Sequence, residues 1–235
     1  MNQSILALTC LIAGFLITYY LPDNQVIRKN LIIHTPHGID NARHVLFQRL
    51  LGLFFYGFIP ALVITATGGD PAAYGIVLKE PVFVLWTGTA IGAIMVLLSY
   101  LNHRNPLNLE MYPQIRNSSW TAALLVTSAL SWLAYLFAYE FLFRGYLLFA
   151  MREEMGIWNA IAVNTAVYSL VHTPKGWKEV VGSLPLGILL CVVCLHAGSV
   201  WPAFIAHGCL ALSNEWLSLA AHPSMRLVRK RGEGN

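Results

Sequence analysis

Charge is what this sequence has least of. Only 11% of its 235 residues are Asp, Glu, Lys or Arg, where a soluble domain carries roughly a quarter. That deficit excludes a water-soluble globule. With 57% hydrophobic residues and a mean hydropathy of +0.59, the chain reads as an integral membrane protein whose helices form one bundle in lipid. Residues 1–21, 50–69 and 81–101 contain no charge at all. The first of these runs lacks both a basic n-region and a small-residue cleavage site, so a retained spanning helix is expected rather than a signal peptide. Cysteine is also sparse. Cys10, Cys191, Cys194 and Cys209 all lie in apolar segments, and Cys191-Val-Val-Cys194 has no second pair to complete a zinc site. All four read as small buried hydrophobes. No internal repeat occurs, which disfavours a transporter built from repeated halves. The net charge of +4 calls for no nucleic-acid partner; in a membrane protein a basic excess reports orientation and anionic headgroups.

The apolar runs predict about seven transmembrane helices in an all-α polytopic bundle, a single membrane domain over residues 1–235. Helices one to three follow the three charge-free runs. The fourth is expected near Ser119, after the capping residues Asn117-Ser118-Ser119, and the fifth over about 157–172, stopped by Pro174. The 35 residues between Glu179 and Glu215 also lack charge, too long a stretch for one span. Gly198-Ser199-Val200-Trp201-Pro202 breaks it in two, with Pro202 suited to a first helical turn.

Twelve of the 15 basic residues fall in loops 22–49, 102–118 and 172–179 or beyond Met225: Arg28, Lys29, Arg43, Arg49, Arg104, Arg116, Lys175, Lys178, Arg226, Arg229, Lys230 and Arg231. Alternating loops then place the N-terminus outside and the C-terminus inside. The expected location is a bacterial cytoplasmic membrane. Residues 25–49, where apolar triplets alternate with basic residues, are expected to lie partly in the interface. His34, His37 and His44 read there as interfacial polar groups, since no acidic or cysteine partner stands at ligand spacing.

Within the apolar segments a few polar groups stand out. Glu140 and Arg144 sit one helical turn apart in Tyr139-Glu140-Phe141-Leu142-Phe143-Arg144-Gly145, and that spacing puts both heads on one face. Each would cost at least about 2.5–3.5 kcal/mol at membrane depth if unpaired. A structural ion pair is the plain reading; a functional site is the sharper one. Tyr168 and His172 share a face at the end of helix five. His207 and Asn214 lie about 20° apart around helix seven and roughly 10 Å apart along it. A carboxylate with a histidine can deprotonate water, and a second histidine or an asparagine can donate to an oxyanion. Those are the parts of a peptide hydrolase that uses water directly.

These residues resemble a known family. Glu140-xxx-Arg144-Gly145 is similar to the EExxxRG helix of the CAAX prenyl protease and bacteriocin-processing (ABI) membrane proteins. Tyr168-xxx-His172 resembles their FxxxH motif, and Gly198-Ser199-Val200-Trp201-Pro202 leading to His207 resembles their third block. The resemblance covers a core of about 120–215. It implies a glutamate-dependent intramembrane endopeptidase with no metal or other cofactor, acting on a peptide or protein at the membrane, with or without a lipid. On this reading Glu140 is the base, His172 its partner to the water, His207 and Asn214 hold the oxyanion, and Arg144 fixes Glu140. The sequence departs from the family at two places. Tyr139 stands where the leading glutamate belongs, and the i+4 partner of His207 is Ala211, leaving Asn214 to substitute from one turn further on. A silent relative, acting as a peptide-binding, immunity or scaffold protein, is the alternative. A metallopeptidase or haem site ranks below both, because no HExxH occurs and Arg144 beside Glu140 repels a cation. Straight helices measured from the outer loops put Glu140 roughly 18 Å deep, His172 about 25 Å, His207 about 10 Å and Asn214 about 20 Å.

Overall fold

The computed structural model describes residues 2–35 and 38–228. His37 and the basic residues Arg229, Lys230 and Arg231 lie outside the described residues. The fold is an all-α bundle with two minimal sheets. Its helices are α1 Gln3–Tyr20, α2 Gln25–Leu31, α3 Ala42–Ala66, α4 Pro81–Asn102, α5 Pro106–Met111, α6 Ala122–Met155, α7 Ile157–Leu170, α8 Trp177–Ala197 and α9 Trp201–Ala221. The antiparallel pair β1 (Ile33–Thr35) and β2 (Gly38–Asp40) follows α2. A parallel pair joins β3 (Ser119–Trp120) to β4 (Arg226–Leu227).

Five helices (α1, α3, α4, α6 and α8) are long and apolar enough to cross a membrane. The other two long helices do not qualify. α7 has 14 residues, about 21 Å at 1.5 Å per residue, short of a hydrocarbon core of about 30 Å. α9 has 21 residues, but its apolar content is interrupted by His207, Ser213, Asn214 and Glu215. Ile12, Leu85, Trp86, Leu97 and Leu130 are exposed on the outward faces of α1, α4 and α6. In water such a surface would be an aggregation liability; in lipid it is the solvated face.

Helix boundaries moved where side chains compete for backbone groups. The fourth long helix begins at Ala122 rather than near Ser119, because Thr121 is its N-cap and accepts from Leu124 N at 3.2 Å. Ser119 and Trp120 instead form the strand that meets β4. The second long helix starts at Ala42, eight residues before its charge-free run, and so takes Arg49 inside the bundle.

Two helices widen to π-geometry midway: α3 over Leu53–Phe58 and α6 over Phe141–Leu147. The two widened stretches touch each other. A π-turn breaks the regular ladder and leaves carbonyls to be satisfied from outside. At Phe143 this is done by Asn164 of α7, fully buried, whose Nδ2 donates to the Phe143 carbonyl at 2.7 Å. Cys191 of α8 donates its thiol to the same Asn164 at 3.2 Å, so one asparagine ties three helices together.

Candidate active site

The widened segment of α6 carries the buried charge. Glu140 and Arg144 are both fully buried, with Arg144 Nη1 3.3 Å from Glu140 Oε2. The guanidinium lies 3.8 Å from the centroid of the Tyr168 ring, so the aromatic face of α7 supplies a second counter-surface for the cation. Gly145 follows Arg144 because no side chain fits there. A Cβ at this position would stand 2.6 Å from the Tyr74 carbonyl oxygen, where the loop after α3 packs onto α6.

That loop also fixes the start of α9. Gly198 ends α8 in the left-handed conformation at φ 57°, which costs glycine nothing. Val200 N donates to the Gly75 carbonyl at 2.9 Å and Trp201 Nε1 to the Ile76 carbonyl at 2.8 Å. With the turn pinned at both ends, α9 brings His207 against α6. His207 Nδ1 lies 2.7 Å from Glu140 Oε1, a charge-assisted distance. The sequence estimate put these two groups on different levels. They are level because α6 runs 34 residues, about 51 Å, so its C-terminal end stands beyond the start of α9 and does not mark a common depth.

A carboxylate can only accept from the imidazole, so Nδ1 of His207 carries hydrogen and Nε2 is the lone-pair nitrogen when the ring is neutral. The same logic applies to His172. Its Nδ1 lies 2.7 Å from the Tyr168 carbonyl, which also only accepts.

His207, His172, Asn214, Tyr139 and Tyr168 all line one cavity of about 480 Å³. Its walls come from the C-terminal ends of α1, α4 and α7, the N-terminal parts of α3, α6 and α8, and the middle of α9. These are the helix ends that adjoin the basic loops. Glu140 and Arg144 do not line it; Glu140 meets the cavity through His207. Tyr139, at the leading-glutamate position, stands on the wall. Its ring packs 4.4 Å from Phe143, 5.8 Å from Tyr56 and 5.9 Å from His207 between centroids. Asn214 shares the wall about two helical turns from His207.

Sequence reasoning missed a second buried charge pair, whose arginine lines the same cavity. Arg49, counted among loop charges, is 4% exposed and donates to the Ser128 carbonyl at 2.8 Å, to Ser131 Oγ at 3.1 Å and to Gln114 Oε1 at 3.0 Å. Glu215, 1% exposed, accepts from Ser128 Oγ at 2.7 Å and lies 3.9 Å from Arg49. The signal was present in the apolar residues Val45-Leu46-Phe47 and Leu50-Leu51 that flank Gln48-Arg49. The four cysteines are free thiols, three of them buried and Cys209 half-buried. Among the described residues no group of three His, Cys, Asp or Glu side chains is placed to hold a metal ion.

A membrane-type helix bundle with a cavity of mixed polar and apolar lining, and a buried carboxylate–imidazole pair against its wall, defines the class of protein. Residues 120–213 match the family model described as type II CAAX prenyl endopeptidase, Rce1-like. Over that stretch the resemblance carried by the three motifs is borne out, and the family is one of membrane proteases. No curated protein and no solved structure matches the chain.

Proposed function

We propose that the chain is a membrane endopeptidase of the CAAX type that hydrolyses a peptide bond with a water activated by the Glu140–His207 pair. One observation carries this reading: His207 stands on the cavity wall with its Nδ1 held 2.7 Å from a fully buried carboxylate. The substrate is a peptide or protein at the membrane, entering from the side of the basic loops, with the N-terminus outside, the C-terminus inside and seven helices in the bundle.

The proposed chemistry follows from the ring nitrogens. Water attacks the scissile carbonyl and passes its proton to His207 Nε2. Glu140 balances the imidazolium charge, as the carboxylate does in any acid–histidine pair. The Asn214 amide donates to the oxyanion, and His172 orients the water. Collapse of the tetrahedral intermediate breaks the C–N bond, and the proton on His207 goes to the leaving amine. Glu140 is thus a positioning and charge-balancing residue, while His207 and His172 touch the reactants. Arg144 keeps the carboxylate in place.

The test uses protein in liposomes with two peptides, one ending in a farnesylated CAAX sequence and the same peptide without the lipid. Cleavage of at least one is expected, unaffected by chelators, and should fall at least about 100-fold in His207→Ala and in His172→Ala. Restoration by zinc after chelation would move both histidines to ligand roles. Tyr139 at the leading position favours a second reading, a non-catalytic peptide binder. Saturable peptide binding with no cleavage above a His172→Ala/His207→Ala background would establish that reading and end the first.

A further inference from the structure

A second cavity, of about 470 Å³, lies on the basic side between α2, the β1–β2 hairpin and the segment that precedes β3. Arg28, Lys29 and Arg116 line it together with Ile32, Ile39 and Asn41. Among the described residues no acidic side chain contributes to its wall. The nearest carboxylate in sequence, Asp40, is already engaged: Oδ1 accepts from Ala42 N at 2.9 Å and Oδ2 from Asn117 Nδ2 at 3.4 Å. Asp23 lies 3.5 Å from His44. Three cations therefore converge on one concave space, and the carboxylates that act on Arg116, Glu110 and Glu215, lie outside its lining.

Arg116 is held there rather than left to solvent. Its Nη1 donates to the Leu109 carbonyl at 2.9 Å, its Nη2 to the Glu110 carbonyl, and its backbone N–H to Asn41 Oδ1 at 2.6 Å. Arg28 and Lys29, by contrast, are exposed on the last turn of α2. Exposed apolar side chains lie on the same elements: Ile39, in the lining, is 48% exposed, Val26 of α2 70% and Ile33 of β1 42%. A fixed guanidinium beside two exposed cations matches a phosphate group. Exposed aliphatic side chains around it match the boundary between headgroups and acyl chains.

We propose that this pocket binds the phosphate of an anionic phospholipid headgroup, with α2 lying in the interface. The proposal does not depend on the catalytic reading. Purified protein in a neutral maltoside detergent would be titrated with short-chain phosphatidylglycerol, short-chain phosphatidylcholine and inorganic phosphate, following the unfolding temperature by tryptophan fluorescence. Phosphatidylglycerol should raise that temperature saturably, and phosphatidylcholine should not. The half-saturating concentration should rise at least about tenfold in Arg28→Gln/Lys29→Gln. It should stay unchanged in Arg43→Gln/Arg104→Gln, which removes the same charge from outside the pocket. Equal weakening in both double variants would show that net charge alone drives binding and overturn the site. An equal response to inorganic phosphate at the same concentration would overturn the lipid assignment in favour of a soluble phosphate ligand.

Discussion

Replacing Glu140 by Gln separates what the carboxylate does for the fold from what it does for the chemistry. The substitution keeps the volume and one acceptor, so the 2.7 Å contact to His207 can persist. The charge is lost, and with it the partner of Arg144 at 3.3 Å in a site with no exposure. Breaking a fully buried pair by removing one member costs about 3–5 kcal/mol; the Tyr168 ring beneath the guanidinium offsets part of this, by about 2 kcal/mol when desolvated. A net loss of roughly 1–3 kcal/mol is therefore expected, enough to lower the unfolding temperature by several degrees while leaving a folded protein. Activity should fall much further. A carboxylate that orients a histidine and balances its positive charge is worth up to about 10⁴ in kcat, and each factor of ten is 1.36 kcal/mol of barrier. We expect kcat down by about 10²–10⁴ with KM within about threefold, measured on the peptide that the wild type cleaves. Glu140→Leu/Arg144→Met should recover much of the stability, since both charges leave together, yet remain inactive. A purely structural carboxylate would predict recovery of both. Wild-type kcat in folded Glu140→Gln would refute the carboxylate–imidazole argument outright.

Three other outcomes can be checked more simply. Tyr139→Phe should keep kcat within about threefold, because the ring packs among Phe143, Tyr56 and His207 and the substitution preserves that packing; a loss beyond about 100-fold would give the hydroxyl a chemical role. Asn164→Leu should destabilise by about 1–3 kcal/mol, since the buried Phe143 carbonyl loses its donor, and thermal unfolding in detergent would show it; an unchanged midpoint would mean the carbonyl finds another partner. Single cysteines at Asp70 and Glu153 should react with an impermeant maleimide from outside intact cells and one at Ser224 should not, with the native cysteines replaced. Labelling at Ser224 from outside would invert the orientation. Ser199, buried under the Gly75 loop, is unsuited to such labelling.

The site was partly legible because ionisable groups are conspicuous against lipid-soluble sequence. Glu140 and Arg144 interrupt a charge-free run, and their spacing on one helix turn announces the pair. His207 is likewise a lone imidazole in an apolar helix. Arg49 and Glu215 escaped because they sit near the ends of apolar runs, where a charge reads equally well as a loop residue. Asn164 has no periodic partner: its role depends on a carbonyl freed by the π-turn of a different helix, and no local pattern encodes that. Relative depth was misjudged for a related reason. Apolar length fixes how far a helix can reach, whereas the start of its buried portion depends on neighbours such as the Tyr74–Ile76 loop. Five helices have the length and hydropathy of a membrane span; α7 and α9 fall below it, α7 by its 14 residues and α9 by its polar side chains.

The π-turn at Phe141–Leu147 makes the length of this helix as consequential as its composition. Relative to a regular helix, such a turn accommodates one extra residue, so the flanking segments keep the phase that a regular helix one residue shorter would give them. A single-codon deletion within the segment would therefore close the turn without rotating Leu148 to Met155 against the residues before Glu140. The same deletion in the regular part of the helix, with no slack to absorb it, would turn everything downstream by about 100°. What closing the turn would remove is the free Phe143 carbonyl to which Asn164 donates, so a one-residue gap placed there when homologous sequences are compared would mark the loss of that tie between helices rather than a change in the faces the helix presents.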